Sequence, residues 1–163
     1  MTLMQTTIII FLAAYLYLFV ISGSVLTFLF SHQKKQLLSL ALFTIPLAFL
    51  LSLLLTQVVY SPRPFLITHI LPFIHSASDN GFPSDHTLLV ATLGLIMFTR
   101  HKRSGLVLLV FSLCVGIGRV LAGVHHPIDI LGSFAIAGLT TFLVTFFLKK
   151  IPQTTLTLRK SHP

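Results

Sequence analysis

One polar stretch, residues 118–129, carries an arginine, two histidines and a carboxylate in a chain that is otherwise almost entirely apolar. It reads Gly-Arg-Val-Leu-Ala-Gly-Val-His-His-Pro-Ile-Asp. Ionisable groups at the edge of an apolar span are energetically expensive, and they are therefore candidates for a functional site. A planar arginine suits phosphate, and a histidine beside a carboxylate suits nucleophilic or general-base chemistry. The stretch therefore indicates phosphate chemistry.

Pro127 predicts where a helix begins, because proline favours the first helical position and disfavours a helical conformation in the residue before it. With His126 as the N-cap, Asp129 becomes the third helical residue, and its carboxylate can reach back over the helix start toward His125. A carboxylate bonded to one ring nitrogen leaves the lone pair of the other free to attack or to take a proton. Arg119, six residues before His125, adds donors for a phosphate.

The composition indicates a membrane protein. Of 163 residues, 55% are apolar and only 9% are charged, which is not the composition of a soluble enzyme. The formal net charge of +8 does not indicate a nucleic-acid partner, because the basic residues form short clusters between apolar runs. The single cysteine, Cys114, can form neither an internal disulfide nor a cysteine metal site.

Five apolar runs predict an all-α polytopic helix bundle with five transmembrane helices, in a single domain over residues 1–163. The runs are residues 8–30, 37–59, 87–98, 106–117 and 128–148. Crossing ~30 Å of hydrocarbon takes about 20 residues, so we expect the third and fourth spans to include polar ends that lie inside the membrane boundary. Residues 65–71 predict a short interfacial segment, which Pro72 limits to a short helix at most. Residues 153–163 predict a short cytoplasmic tail.

The loops predict the orientation. If five spans alternate, one side receives nine basic residues: Lys34, Lys35, Arg100, Lys102, Arg103, Lys149, Lys150, Arg159 and Lys160. By the positive-inside rule that side is cytoplasmic, so the N-terminus is predicted outside and the C-terminus inside. The opposite side receives Arg63, Arg119 and all three aspartates, so the polar site is predicted to face away from the cytoplasm.

Three segments converge on that outer side. They are Ser61-Pro62-Arg63-Pro64, Phe82-Pro83-Ser84-Asp85-His86 and the stretch from Arg119 through His125 to Asp129. Together they resemble the type-2 phosphatidic acid phosphatase superfamily, whose pattern is K-x(6)-R-P, P-S-G-H and S-R-x(5)-H-x(3)-D. Aspartate in place of glycine in the second motif resembles the branch of undecaprenyl diphosphatases of the bacitracin-resistance type. The resemblance covers roughly residues 56–132, and three motifs in the right order are far more specific than one.

The resemblance implies a role for each matched position. His125 would attack phosphorus and form a phosphohistidine, Asp129 would orient it, and His86 would protonate the leaving oxygen. The phosphoryl oxygens would be held by Arg63, Arg119, the Ser84 hydroxyl and backbone amides near Asp85, in keeping with charge stabilisation at a helix N-terminus. The resemblance implies no cofactor and no metal, because two arginines supply the charge that a magnesium ion otherwise would.

Two positions depart from the pattern. Thr56 stands where the family has lysine, and Gly118 stands where it has serine. Asp85 adds a negative charge, which either contacts substrate or interacts favourably with the helix N-terminus. A further candidate near the phosphate is Pro64 of the first motif. Gln57, His69 or His126 could compensate for the missing lysine. For His126 an N-cap role and a substrate contact both remain open.

The predicted function is hydrolysis of a membrane lipid diphosphate in the outer leaflet, with undecaprenyl diphosphate as the first choice, in a multi-pass protein of the cell membrane. Its partners would be the lipid substrate and membrane lipids, and not nucleic acid. One alternative is a phosphatase for phosphatidylglycerophosphate, phosphatidate or lipid A, which would use the same residues. A second is a degenerate, non-catalytic lipid-binding protein. In that case the same side chains form a buried polar network that holds helices together.

Overall fold

Seven α-helices and their connecting loops make up residues 2–150, the part of the chain that the computed structural model describes. They are α1 (Leu3–Ala14), α2 (Leu16–Leu29), α3 (Lys34–Thr56), α4 (Pro64–Thr68), α5 (Asp85–Arg100), α6 (Lys102–Leu121) and α7 (Pro127–Lys150). The described residues contain no β-strand, only an isolated bridge between Pro62 and Asn80. The predicted all-α class is therefore confirmed. The predicted tail, residues 153–163, lies outside the described residues.

Three helices, α3, α6 and α7, are each long and apolar enough to cross a membrane, and α1 with α2 qualifies as a fourth span if the bent pair is counted as one. The remaining long helix, α5, has 16 residues. At 1.5 Å per residue it measures about 24 Å, which is shorter than the ~30 Å of hydrocarbon. The described part of the chain thus supplies three or four spans by length and composition, and a count of five stays a prediction.

The first predicted span, residues 8–30, is wrong as a single helix. Helix α1 begins at Leu3, and the chain breaks at Tyr15, where φ is −126°. The two helices meet at 44°, and Phe11 and Phe19 pack edge to face across the bend with ring centroids 5.7 Å apart. An apolar run could not show this break, because the residues on both sides of it are equally apolar.

The segment between α3 and α5 contains the short helix that was expected. Pro64 occupies its first position, where the missing N–H has no cost. The helix ends at His69, which has a left-handed backbone with φ of 58°. The chain then continues without regular structure to Asp85, the first residue of α5.

The centre of the bundle is α5, which packs against α2, α3, α6 and α7. Its residues Leu88, Val90, Ala91 and Ile96 are completely buried. Large apolar side chains cover the outside of the bundle, among them Phe43, Leu53 and Phe142, which is the surface expected to face lipid.

The site forms at one end of the bundle, where the C-terminal ends of α3 and α6 meet the N-terminal ends of α5 and α7. The Thr56 hydroxyl donates to the Phe82 carbonyl, 3.1 Å away, just before α5. The Ser84 amide lies 3.4 Å from the carbonyl of Asp129 in α7. Basic residues lie at the opposite ends of these helices. Lys34 begins α3, Arg100 ends α5 and Lys150 ends α7.

Candidate active site

His125 lies in the loop between α6 and α7 and is only 2% exposed. Its Nδ1 is 3.0 Å from the Gly81 carbonyl oxygen and 3.4 Å from Asp129 Oδ2. Its Nε2 is 3.3 Å from Arg63 Nη1 and 3.5 Å from Arg119 Nη2. A carbonyl and a carboxylate only accept, and guanidinium groups only donate. The neutral ring therefore carries its proton on Nδ1 and directs the Nε2 lone pair toward the two arginines.

The environment of His125 also keeps this ring neutral. Burial lowers the pKa of His125, the hydrogen bond to Asp129 opposes that shift, and the positive charges of Arg119 and Arg63 lower the pKa further. The net direction is below the ordinary value. A histidine with a lowered pKa stays unprotonated into mildly acidic solution and is lost as a nucleophile only at lower pH.

Asp129 is held in place by the start of α7. The helix begins at Pro127, as predicted, and the fully buried Asp129 carboxylate accepts the backbone N–H of His126 at 2.8 Å. The same oxygen, Oδ2, is the one nearest His125. Asp129 therefore reaches back over the helix start as expected, and it shares the Nδ1 proton of His125 with the Gly81 carbonyl.

Arg63 is 8% exposed and precedes α4. Its Nε and Nη2 donate to Asp79 Oδ1 at 2.9 and 2.8 Å, and its Nη1 donates to the Val124 carbonyl at 3.1 Å. The sequence prediction missed Asp79 as a partner of Arg63. The available signal was that Asp79 is one of three aspartates predicted on the side of the site. The ion pair fixes the plane of the guanidinium beside His125.

Arg119 lies in the last turn of α6 and is 7% exposed. Its Nη1 donates to the Ala13 carbonyl at 3.4 Å, and its Nη2 faces His125. Its buried Nε has no hydrogen-bond partner within residues 2–150. A buried donor without a partner is costly, and here it leaves one N–H for a phosphoryl oxygen.

The second motif supplies three side chains with different exposures. Ser84 is fully buried at the N-cap of α5, where its hydroxyl accepts from Thr87 at 3.1 Å. Asp85 is exposed, and its charge interacts with His125 and both arginines. His86 is half-buried, and its ring nitrogens make no hydrogen bond in the described part of the chain. The site therefore offers His86 as a proton donor or acceptor, while the Ser84 hydroxyl is buried at the start of α5.

The loop around Asn80 holds the second motif beside the first. The Asn80 side chain accepts from the amides of Ser61 at 2.9 Å and Phe82 at 3.2 Å, and it donates to the carbonyls of Thr56 at 3.1 Å and Val59 at 2.7 Å. All its hydrogen-bonding groups are thus engaged. This arrangement sets the next carbonyl, that of Gly81, against His125.

The absence of a side chain at Gly81 permits a close approach of the backbone to the site. A Cβ added there would lie 3.0 Å from the Ser61 carbonyl oxygen and 3.1 Å from Asp129 Oδ2. Both contacts are tighter than normal, and neither partner can retreat without disturbing the site. Gly81 therefore allows the backbone to approach His125 closely enough to accept its Nδ1 proton.

The remaining candidates lie at different distances from this centre. Thr56 is half-buried, and its hydroxyl contacts Ser52 and Phe82 carbonyls. His126 is half-buried, and its Nε2 lies 3.1 Å from the Pro62 carbonyl. Gln57 and His69 are exposed and make no side-chain hydrogen bond among the residues that the structure describes. Pro64 is the first residue of α4, and its role is to start that helix.

The arrangement can transfer a phosphoryl group. A nucleophilic lone pair faces two guanidinium groups that can bind phosphoryl oxygens, and a second histidine lies within electrostatic range of all three. Phosphoryl transfer depends mainly on such positioning and charge stabilisation. The first and third motifs, which were predicted to converge on one side of the bundle, meet at His125.

Comparison with known proteins agrees with this chemistry. The profile of the PAP2 superfamily matches residues 36–152. The bacitracin transport permease protein BcrC of Bacillus licheniformis is 32% identical over 146 residues, which is 88% of this chain and 71% of that protein. The undecaprenyl-diphosphatase BcrC of Bacillus subtilis (strain 168) is 38% identical over 90 residues, which is 55% of this chain and 47% of that protein.

The fold is also that of a solved structure. A crystal structure described as the first transmembrane PAP2 type phosphatidylglycerolphosphate phosphatase, from Bacillus subtilis, superimposes with a TM-score of 0.61 at 24% identity. The superposition covers 93% of this chain and 78% of that one. All three motifs lie within the matched residues 36–152. The chain therefore belongs to the PAP2 superfamily, the family of membrane phosphatases that its three motifs predicted.

Proposed function

We propose that this lipid phosphatase hydrolyses undecaprenyl diphosphate to undecaprenyl phosphate and inorganic phosphate. The observation that carries the proposal is the environment of His125. Its proton is held on Nδ1 by two acceptors, and its Nε2 faces Arg63 and Arg119. A buried imidazole with that orientation is an activated nucleophile beside a binding site for anions.

The proposed reaction has two steps. In the first, the Nε2 lone pair of His125 attacks the terminal phosphorus, and the bond from phosphorus to the bridging oxygen breaks. His86, in its protonated imidazolium form, gives a proton to that oxygen and becomes neutral, and the lipid phosphate leaves. In the second, water attacks the phosphohistidine, His86 takes a proton from the water, and the N–P bond breaks to release phosphate. Arg63 and Arg119 hold the phosphoryl oxygens throughout.

The choice of substrate rests on two observations. The second motif has Asp85 where most members have glycine, and a relative of 38% identity carries the name undecaprenyl-diphosphatase. The exposed carboxylate of Asp85 lies in electrostatic range of both arginines. A diphosphate carries more negative charge than a monoester. The combined charge of Arg63, Arg119 and Asp85 is therefore expected to affect whether the protein prefers a diphosphate or a monoester.

The test is a panel of lipid phosphates offered to the purified protein. We expect phosphate release from undecaprenyl diphosphate to exceed that from phosphatidylglycerophosphate, phosphatidate and lipid A at equal concentration. The rate should be unchanged by EDTA, because Arg63 and Arg119 supply the positive charge. A stronger preference for a monoester would replace the substrate proposal, and no release from any lipid would favour a non-catalytic lipid-binding protein.

The proposal places the active site on the extracytoplasmic side of a five-span protein in the cell membrane. Support comes from the basic residues at the helix ends opposite the site, which the positive-inside rule assigns to the cytoplasm. In a Cys114→Ala background, Ser78→Cys should react with a membrane-impermeant thiol reagent in intact cells, whereas Ser104→Cys should react only after permeabilisation. Reversed labelling would place the site in the cytoplasm.

The missing family lysine gives a further prediction. Thr56→Lys should lower KM for the diphosphate by roughly tenfold, because a charged hydrogen bond at a partly desolvated site is worth about 1.5–3 kcal/mol.

Two variants serve as controls for Thr56→Lys. Val58→Lys adds the same charge at a neighbour that is 77% exposed, and Thr56→Val removes the hydroxyl that contacts Phe82 without adding charge. Neither should lower KM. An equal KM for Thr56→Lys and wild type would mean that position 56 does not face the phosphate.

A further inference from the structure

The N-terminal helix pair, α1 and α2, lies outside residues 36–152 that match the family profile. It nevertheless contacts two ionisable side chains of the site. The Ala13 carbonyl of α1 accepts from Arg119 Nη1 at 3.4 Å. The Tyr17 ring of α2 packs against the His86 ring with centroids 4.9 Å apart and planes at 88°. Ala13 lies just before the break at Tyr15, and Tyr17 lies just after it.

The break makes the contact with Arg119 available. The last carbonyls of a helix have no partner within the helix, and Ala13 is the next-to-last residue of α1. Ala13 is itself completely buried. In a continuous helix the Ala13 carbonyl would accept a backbone N–H from the next turn. At the break it is free to accept from the Arg119 guanidinium.

Gly118 lets α1 lie this close. A Cβ at position 118 would lie 2.6 Å from Leu12 Cβ and 2.8 Å from the Ala13 backbone nitrogen. The motif pattern has serine at this position, and a serine would meet the same backbone. Glycine in place of serine at position 118 therefore allows α1 to pack beside Arg119.

The bend also directs Tyr17 inward. Tyr15, at the break, is 54% exposed, whereas Tyr17 is half-buried against α5. An edge-to-face aromatic contact restrains both rings. His86 makes no ring hydrogen bond within residues 2–150, so the contact with the Tyr17 ring is a restraint on its orientation. The charged or titratable groups that act on His86 are Arg119, His125 and Arg63.

We propose that the bent helix pair completes the active site, with Tyr17 as a positioning residue for His86. This proposal rests on the proposed function, in which His86 protonates the leaving oxygen. A misoriented general acid slows departure of a basic leaving group and has little effect on one that leaves without protonation. Tyr17 is therefore expected to affect kcat according to the leaving group, and to leave substrate binding nearly unchanged.

The first test compares phosphatidate, which has an alkoxide leaving group, with para-nitrophenyl phosphate. Tyr17→Leu should lower kcat for phosphatidate about two- to tenfold, the rate equivalent of one aromatic pair, with KM unchanged and the aryl phosphate rate retained. Tyr17→Phe keeps the ring and should restore wild-type behaviour. Tyr60→Leu makes the same change at a tyrosine that is 80% exposed and should have no effect. Equal losses on both substrates, or no loss, would overturn the role of Tyr17.

A second measurement does not depend on turnover. In protein with ¹³C-labelled histidine, the His86 ring resonance, assigned with His86→Gln, should shift in Tyr17→Leu and not in Tyr60→Leu, because a neighbouring ring current is lost. An unmoved resonance would refute the contact. Absence of lipid phosphate hydrolysis by the wild type, with the resonance shifted, would instead refute the proposed function and with it the positioning role of Tyr17, while leaving the contact established.

Discussion

His125→Gln is expected to abolish phosphate release, with a loss of more than roughly 10⁴-fold, because no other group can supply the attacking lone pair at that position. Nε2 of His125 is the atom that both arginines approach, and its lone pair is free because Nδ1 holds the proton. The wild-type protein should form a labelled intermediate during turnover of terminally ³²P-labelled diphosphate. Phosphohistidine is acid-labile, so the reaction is stopped under alkaline conditions, and the label is located by peptide mapping.

The matched control for this variant is His126→Gln, which makes the same change at the neighbouring residue. The His126 ring lies against the Pro62 carbonyl, and its backbone N–H, which donates to Asp129, is retained in the variant. This protein should still trap label on His125. Label found on His126 or His86, or turnover by His125→Gln, would show that the nucleophile has been misassigned.

His86→Gln is expected to lose roughly 10²–10⁴-fold in kcat on phosphatidate, the range for removal of a general acid. The loss should be smaller on undecaprenyl diphosphate, because the group that leaves from a diphosphate is a phosphate, which is a far weaker base than an alkoxide. KM should change little, since Arg63 and Arg119 retain the phosphoryl group. The measurement is steady-state phosphate release from the two lipids under the same detergent conditions.

His75→Gln provides the comparison for His86, because His75 is an exposed histidine in the loop before α5. It should behave as wild type on both substrates. If His86→Gln loses the same factor on the diphosphate and the monoester, His86 does not protonate the leaving oxygen. A loss seen mainly in KM would assign His86 to phosphate binding instead.

The features that could be predicted from the sequence are those determined over a few residues. Proline restricts its own backbone and that of the residue before it, so Pro127 predicted the start of α7 and the reach of Asp129 over it. Apolar runs predicted the long helices, because membrane-spanning backbone must satisfy its own hydrogen bonds. The family was predicted from the resemblance of three motifs, in order and spacing, to the pattern of the superfamily, and the family profile confirms it.

Tertiary structure decided the contacts between residues that are far apart along the chain. The Gly81 carbonyl that holds the His125 proton is 44 residues away from it, and the Ala13 carbonyl that holds Arg119 is 106 residues away. Backbone carbonyls occur at every residue, so no residue type marks the ones that will become ligands. The break at Tyr15 was equally hidden, because it lies within continuous apolar sequence and arises where α1 packs on Gly118. Local residue types thus determined which groups are candidates for the chemistry, and the packing of distant helices determined which groups orient them.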